Sequence, residues 1–372
     1  MRIGIDARFW ASTKQGIDRY TGEIIMHLAK LDRENTYFIF IRTDAKISEL
    51  ADNFHPVRVP YRWYGFSEQT AWPFFLRRFN LDLMHFTHFN VPLLYRRPFV
   101  VTIHDLILLQ SQGTHLSTRN PAYFFVKFVA YKAALSSALK RARKIITVSK
   151  YSRNDIVRHY PHTSGKVTVI YNGITSCAGT NDVNYRDLRL PKKYALYVGN
   201  AYPHKNLDFL LQQFSMWVHE NPGTELVLIG KRDAFYSALE IRYPAMDYKY
   251  IHFWGMVDDS TLAAAYRAAQ LFIMPSVHEG FGMPVLEAMS AGIPVLAARA
   301  GATPEIAGDA ALYFKPGDCY DFRDKLSIVS SDMKMRDTLR QRGQHRRWSY
   351  TWEKAAKEHR ALYSSIKNQY NA

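Results

Sequence analysis

Two glutamates, Glu279 and Glu287, stand eight positions apart around a glycine loop, in the stretch FIMPSVHEGFGMPVLEAMSAGIPVLA at 272–297. Gly280 and Gly282 let backbone N–H groups approach a ligand closely, and a helix start just beyond them favours an anion. Carboxylates at such a loop accept hydrogen bonds from the hydroxyls of a polyol. The chemistry on offer is therefore binding of a phosphate and of hydroxyls. The competing reading is an N-terminal helix cap with one solvated glutamate. A metal centre is disfavoured, because no His/Asp cluster accompanies the pair. Nor does the spacing suit the acid and nucleophile of a glycosidase, which lie on opposite sides of the bond they cleave. One glutamate falls in the loop and the other inside the helix that follows it.

The elements that must hold this loop can be read around it. Leu271–Met274 is an apolar strand ended by Pro275, and Pro284 suits the first turn of a helix running through Ser290. Gly292 and Pro294 stop that helix before a strand at Val295–Ala298. This is a strand–loop–helix–strand unit of a parallel sheet, its loop at the carboxyl end of a strand, where such sheets bind ligands. The same logic recurs upstream. A strand at Tyr194–Val198 opens into Gly199 and Asn200, and His204 and Lys205 stand beside a helix over 206–218. Strands at Leu226–Ile229 and Ile251–Phe253 end in Gly230-Lys231-Arg232 and Trp254-Gly255-Met256-Val257, where Trp254 reads equally as a stacking residue or as core. Gly301-Ala302-Thr303-Pro304-Glu305 is a glycine-to-helix transition placed to cap the diphosphate side of a ligand, and Ala310–Phe314 a further short strand.

In the first half, strands at Met1–Asp6, Tyr37–Ile41, Leu83–Phe86, Phe99–Ile103, Lys144–Val148 and Val167–Ile170 are interspersed with helices over 18–31, 121–140 and 149–160. A loop carrying Gly16 follows the first strand. His104 follows an apolar strand directly and so belongs over the sheet's carboxyl edge, although a buried structural histidine is the reading its surroundings alone would favour.

A length of 372 residues with 47% hydrophobic content gives room for two domains with cores of their own. The net charge of +16 calls for a partner of opposite sign: nucleic acid, an anionic membrane surface or a phosphorylated substrate. From Leu106 through Asn154 there is no acidic residue, whereas Lys127, Arg141 and others are basic. Residues 59–82 interleave Trp63, Trp72 and several phenylalanines ahead of Arg77 and Arg78, a composition suited to a membrane interface. The alternative is an apolar core flanked by solvated arginines. No recognised reading element or stacking motif favours nucleic acid. Cys177 and Cys319 form neither a ligand cluster nor a disulfide framework. The opening MRIGIDARFW lacks the apolar core of a signal peptide, and no run reaches the roughly 20 apolar residues of a membrane span. The expected location is the cytoplasm, peripheral on the cytoplasmic face of the membrane.

The stretch PSVHEGFGMPVLEAMSAGIPV resembles the signature of the GT4-type retaining glycosyltransferases, whose two glutamates are separated by seven residues. GIDRY at 16–20, TIHD at 102–105, YVGNAYPHKN at 197–206 and HFWGMV at 252–257 are similar to further segments of that family in the same order, so the resemblance covers nearly the whole chain. It implies an α/β GT-B architecture of two facing Rossmann-like domains. An acceptor-binding domain over 1–174, a linker over 175–192 and a nucleotide-sugar-binding domain over 193–350 would be followed by a helix over 351–372 crossing back to the first domain. Trp348, Tyr350 and Trp352 would lock that crossing.

The resemblance also implies roles. His104 would contact the transferred sugar. Glu279 would bind sugar hydroxyls while Gly280, Phe281 and Gly282 position sugar and phosphate. Glu287 would take the ribose hydroxyls, Gly255, Met256 and Val257 would frame the base, and Lys205 would stabilise the departing diphosphate. Gly16, Gly199, Asn200 and His204 complete the donor set. The chain departs from the family at Gln15, where a second glycine is common, and at Asn200 and His204, where relatives often carry an arginine.

The implied reaction is hexose transfer by same-face attack with retention, the leaving phosphate oxygen helping to accept the proton and no metal ion or other cofactor being required. GDP-mannose is the first donor, because this signature together with GATPEIAGDAALYF resembles bacterial mannosyltransferases of surface polysaccharide and O-antigen (lipopolysaccharide) synthesis. UDP-glucose, UDP-galactose and UDP-N-acetylglucosamine are the alternatives. The expected acceptor is a glycan on polyprenyl diphosphate, met at an anionic membrane surface. Two rival functions are a UDP-sugar 2-epimerase and a non-catalytic basic scaffold for membrane or nucleic acid.

Overall fold

Strands buried on both faces must be apolar nearly throughout, and runs such as FVVTI at 99–103 and LFIM at 271–274 meet that demand. A computed structural model, describing residues 1–11, 16–110, 121–175, 190–243 and 249–371, arranges these strands in two wholly parallel sheets. The first contains β1 (Arg2–Asp6), β2 (Thr36–Arg42), β3 (Phe54–Val59), β4 (Leu83–Phe86), β5 (Phe99–Ile103), β6 (Lys144–Thr147) and β7 (Val167–Val169). Their spatial order is β3-β2-β1-β4-β5-β6-β7. The second contains β8 (Tyr194–Val198), β9 (Glu225–Ile229), β10 (Ile251–Gly255), β11 (Leu271–Met274), β12 (Val295–Ala298) and β13 (Leu312–Phe314), in the order β10-β9-β8-β11-β12-β13. Both are doubly wound. Strand order reverses between β1 and β4 in one sheet and between β8 and β11 in the other, which opens a crevice at each reversal.

The described residues divide into two compact units. One is drawn from Met1–Leu106, Arg119–Gly173 and Tyr350–Ala372, the other from Ile107–Thr118 and Ile174–Ser349. The final helix, Trp352–Asn371, thus belongs with the first sheet, where it packs on the helix Gly16–Leu31. Tyr350 and Trp352 are buried there, but Trp348 is 67% exposed with the Arg347 guanidinium over its ring, so it locks nothing. Most of the expected linker, 176–189 with Cys177, lies outside the described residues, as does Gln15.

One strand escaped the sequence reading. β3, FHPVRV, carries Pro56 and two basic side chains, a poor pattern for a central strand. It lies at the sheet edge beside β2, where a missing N–H and exposed polar side chains are tolerated.

Beneath the first sheet's junction with the final helix runs a buried polar chain whose proton positions follow from one carbonyl. His359 Nδ1 lies 2.7 Å from the Ala355 carbonyl, which can only accept, so Nδ1 carries the proton. Nε2 must then accept from the Tyr20 hydroxyl at 2.9 Å. Tyr20 in turn accepts from Thr102 at 2.9 Å, Thr102 from His85 Nε2 at 2.8 Å, and His85 Nδ1 from Tyr363 at 2.7 Å. Every link requires neutral imidazoles. Burial also holds them neutral, pushing His359 down to about 4 and His85 well below its ordinary value.

The sign of the linkage is then fixed. Below the ordinary histidine value of 6.5 the unfolded chain binds more protons than the fold, so stability falls as pH drops from there towards about 4. The limiting slope is about 1.4 kcal/mol per pH unit for each imidazole. We expect the first unit's melting temperature to fall by several degrees between pH 7 and pH 5, read by calorimetry. A pH-independent melting temperature over that interval would contradict the assigned chain.

Candidate functional site

The second sheet's crevice is built by the loops that leave β8 and β11. After β8, Gly199 N–H donates to the Ile229 carbonyl at 2.9 Å, and Pro203–Lys205 makes one tight turn before the helix Leu207–Glu220. After β11, Gly282 adopts φ +90°, a conformation that favours glycine, and the helix Met283–Ser290 begins at once with Pro284 in its first turn. Val277 N–H donates to the His204 carbonyl at 2.9 Å and ties the two loops together.

Across that tie Lys205 Nζ pairs with Glu279 Oε1 at 2.6 Å, both side chains largely buried. A third loop, after β12, closes on the same carboxylate's backbone: Ala302 N–H donates to the Glu279 carbonyl at 3.0 Å. Gly301 makes this approach possible. At φ +58°, a Cβ there would stand 2.6 Å from the Glu279 nitrogen.

The sequence-predicted donor residues Gly199, Asn200, His204, Lys205, Glu279, Gly280, Phe281 and Gly282 therefore occupy neighbouring loops of one sheet edge. Glu287 lies buried in the helix, where its Oε2 accepts from the Tyr266 hydroxyl at 2.9 Å. Gly255, Met256 and Val257 close β10 and begin the next loop, with Gly230 N–H donating to the Gly255 carbonyl at 3.0 Å. Met256 is exposed and Trp254 half-buried.

Three polar atoms of this cluster are buried without a hydrogen-bond partner: His204 Nδ1, His278 Nδ1 and Thr303 Oγ1. Such atoms are uncommon in a folded chain and call for an explanation. His278 was not among the predicted residues, although it directly precedes Glu279 in the motif, whereas Thr303 belongs to the glycine-to-helix transition read at 301–305. Burial, helped by the Lys205 cation, lowers the His204 imidazole to about 4, so it is neutral at physiological pH.

In the first unit, His104 follows β5 as its position in the sequence required. Its Nε2–H donates to the Thr87 carbonyl at 3.0 Å, and its ring meets the edge of Tyr20 at 4.8 Å. Burial lowers it to about 4. A neutral imidazole held in one tautomer is suited to a hydroxyl group. Gly16 opens the helix Gly16–Leu31.

Next to the β1 end, the sequence reading missed a buried charge network. Arg8 bonds Asp6 Oδ2 and Glu68 Oε1, each at 2.6 Å, with Asn90 also bonded to Glu68. The signal was present in Asp6 and Arg8 at a strand end, but the partner is sixty residues away.

Two members of the expected membrane surface are corrected. Trp72 is 0% exposed: its ring lies under the Arg8 guanidinium at 5.0 Å and edge-on to Phe40 at 5.1 Å, so it is core. Arg141 turns inward as well, donating from Nη2 to the Pro92 carbonyl at 3.2 Å and from Nε to Ser137 Oγ at 3.0 Å. Trp63 is half-buried and stacks on Phe9 at 4.3 Å. Arg77, Arg78 and Lys127 do remain exposed.

The apolar surface lies elsewhere than Trp72. Phe66 is 85% exposed and Phe125 66%, with Tyr64, Phe74, Leu93, Leu94, Val126 and Val129 also exposed. Ring contacts from Tyr64 to Phe89 at 6.2 Å and from Phe89 to Tyr131 at 4.7 Å join the segment near residue 64 to the helix Pro121–Arg141. Among the described residues no helix is long and apolar enough to cross a membrane, and no group of three or more His, Cys, Asp or Glu is placed to hold a metal ion.

Two adjoining regions of the chain match family models, one described as Glycosyltransferase Family 4 over residues 14–176 and one as Glycosyl transferases group 1 over 192–332. The chain belongs to the GT4-type glycosyltransferases, and its architecture is GT-B. The sucrose-phosphate synthase of Thermosynechococcus elongatus shares the fold, with a TM-score of 0.79 and 19% identity over 99% of this chain and 100% of that one.

More particular likenesses lie among bacterial mannosyltransferases. The chain is 28% identical to O-antigen chain mannosyltransferase B of Escherichia coli, over 87% of this chain and 82% of that protein. It is 27% identical to O-antigen chain mannosyltransferase RfbU of Salmonella typhimurium, over 70% and 68%.

Proposed function

We propose that the protein transfers mannose from GDP-mannose to a hydroxyl of a glycan carried on polyprenyl diphosphate, retaining the donor's anomeric configuration, in surface polysaccharide synthesis. The observation that carries this reading is the crevice between β8 and β11. There the Lys205–Glu279 pair lies among three buried polar atoms that lack protein partners. A nucleotide sugar offers what such a cluster can use: phosphate oxygens for the lysine and the imidazoles, and hydroxyls for the carboxylate. The two O-antigen mannosyltransferase relatives support mannose as the sugar.

In this scheme Lys205 stabilises negative charge as the diphosphate departs, from a position fixed before the reaction. Glu279 and the Gly280–Gly282 backbone orient the sugar, Glu287 takes the ribose hydroxyls, and the neutral His104 imidazole serves a sugar hydroxyl. The acceptor oxygen attacks from the face that the diphosphate leaves, and a departing phosphate oxygen receives its proton. No divalent ion is assigned. The exposed aromatic surface of the first unit, with Arg77, Arg78 and Lys127, supports docking to the anionic cytoplasmic face of a membrane, where a lipid-linked acceptor is held.

Ligand-dependent thermal stabilisation tests the donor first, with GDP-mannose and the UDP sugars of glucose, galactose and N-acetylglucosamine beside free GDP and UDP. At a ligand concentration a hundred times Kd the expected gain is about 2.7 kcal/mol. Selective stabilisation by GDP-mannose is the expected result. A preference for a UDP sugar would overturn the mannose assignment and keep the transferase, whereas an altered sugar formed without acceptor would favour an epimerase.

A further inference from the structure

The crevice holds two imidazoles to which the transfer scheme gives only a general part. His204 and His278 each bury an Nδ1 that meets no partner. They stand on different loops, one after β8 and one after β11, joined by the bond from Val277 N–H to the His204 carbonyl at 2.9 Å. The groups facing His204 are few. Lys205 and the Tyr202 ring, at 6.0 Å, come from its own turn, and His278 and Glu279 come from the loop after β11. The one carboxylate among them is paired with Lys205 at 2.6 Å. The imidazoles thus lack an acceptor of their own in a place already provided with cationic charge.

We infer that His204 and His278 form a proton-linked diphosphate grip, in which donor binding draws a proton onto His204 and His278 supplies a second ring N–H. This rests on the reading of the crevice as the donor site. Without ligand, burial and the Lys205 cation hold His204 at about 4. A diphosphate lodged beside it reverses the local field and favours the imidazolium. An arginine at this position would hold a fixed charge, whereas His204 holds one only while the anion is present. Affinity for the donor therefore rises as pH falls below the liganded value of His204, and is flat above it.

Titration calorimetry on the full chain between pH 6 and 8.5 tests this, with GDP-mannose and UDP-glucose as the probes. Their phosphates are diesterified and lack the secondary ionisation near pH 6 of a terminal phosphate, so proton uptake reports the protein. Runs in two buffers of different ionisation enthalpy count the protons. The expected result is uptake of up to one proton and a Kd that tightens by up to about tenfold per unit of falling pH. His204→Arg should bind at least as well as the natural chain at pH 8 and lose both the uptake and the slope. His278→Gln should bind several-fold more weakly with the slope kept.

Binding without proton uptake, or an unchanged slope in His204→Arg, overturns the inference and leaves the donor site standing. Absence of binding by both sugars at every pH overturns the donor reading itself, and the inference with it.

Discussion

Lys205→Ala is expected to lower the turnover of sugar transfer by about 10²–10³-fold, the effect of removing one preorganised donor from a site of developing charge. Lys205 is placed for that task by the tight turn Pro203–Lys205 and by its 2.6 Å pair with Glu279. The same pair complicates the test. The Glu279 side chain is 9% exposed, and removing one partner of a buried ion pair costs about 3–5 kcal/mol because the other charge is left stranded. A slow variant could therefore be a poorly folded one.

The double variant Lys205→Ala/Glu279→Ala separates the two causes. It removes the stranded carboxylate, so its melting temperature should recover towards that of the natural chain, while turnover stays at the level of the single variant or lower. Turnover at saturating donor, measured beside the melting temperature, is the readout. A folded Lys205→Ala chain working within about tenfold of the natural rate would remove Lys205 from the chemistry.

What the sequence disclosed and what it withheld divide along physical lines. The strands around the site were legible because a buried parallel strand has to be apolar along its whole length, as LFIM and VLAA are. The edge strand β3 obeys no such rule, and Pro56 hid it. The helix Met333–Arg346 was missed for a related reason: it buries only Leu339 and Gly343, so its sequence shows no apolar stripe. Trp72 was misplaced because a six-residue helix, AWPFFL, is too short for periodicity to say which ring turns inward. Phe74 of that helix is exposed while Trp72 is core.

The site itself followed a similar division. Lys205 and Glu279 could be singled out by their loops, but their pairing across 74 residues required the fold. The unpartnered atoms of His278 and Thr303 leave no mark in the sequence, since lacking a partner is a property of the surroundings.

The second large effect concerns a glycine packed against the backbone of Glu279. Gly301→Ala is expected to reduce transfer by about 10²-fold, the cost that a displacement of roughly 1 Å imposes on a positioned group. Its added Cβ would lie 2.6 Å from the Glu279 nitrogen and 3.0 Å from the Glu279 carbonyl oxygen. These are backbone atoms, which cannot rotate away as a side-chain tip can, so the loop bearing Glu279 must move. The substitution also places alanine at φ +58°, a conformation that costs a non-glycine residue roughly 1–2 kcal/mol.

Gly317→Ala isolates that second cost. Gly317 has φ +78° in the same unit, and nothing lies within 4 Å of its would-be Cβ. Both variants should lose stability in thermal unfolding, but only Gly301→Ala should lose transfer activity. It should also weaken the Glu279 contribution, so that adding Glu279→Ala to Gly301→Ala costs less activity than Glu279→Ala costs alone. Equal activity in the two glycine variants would mean that the loop absorbs the added carbon without moving Glu279, and that the approach of the β12 loop to this carboxylate is structural only.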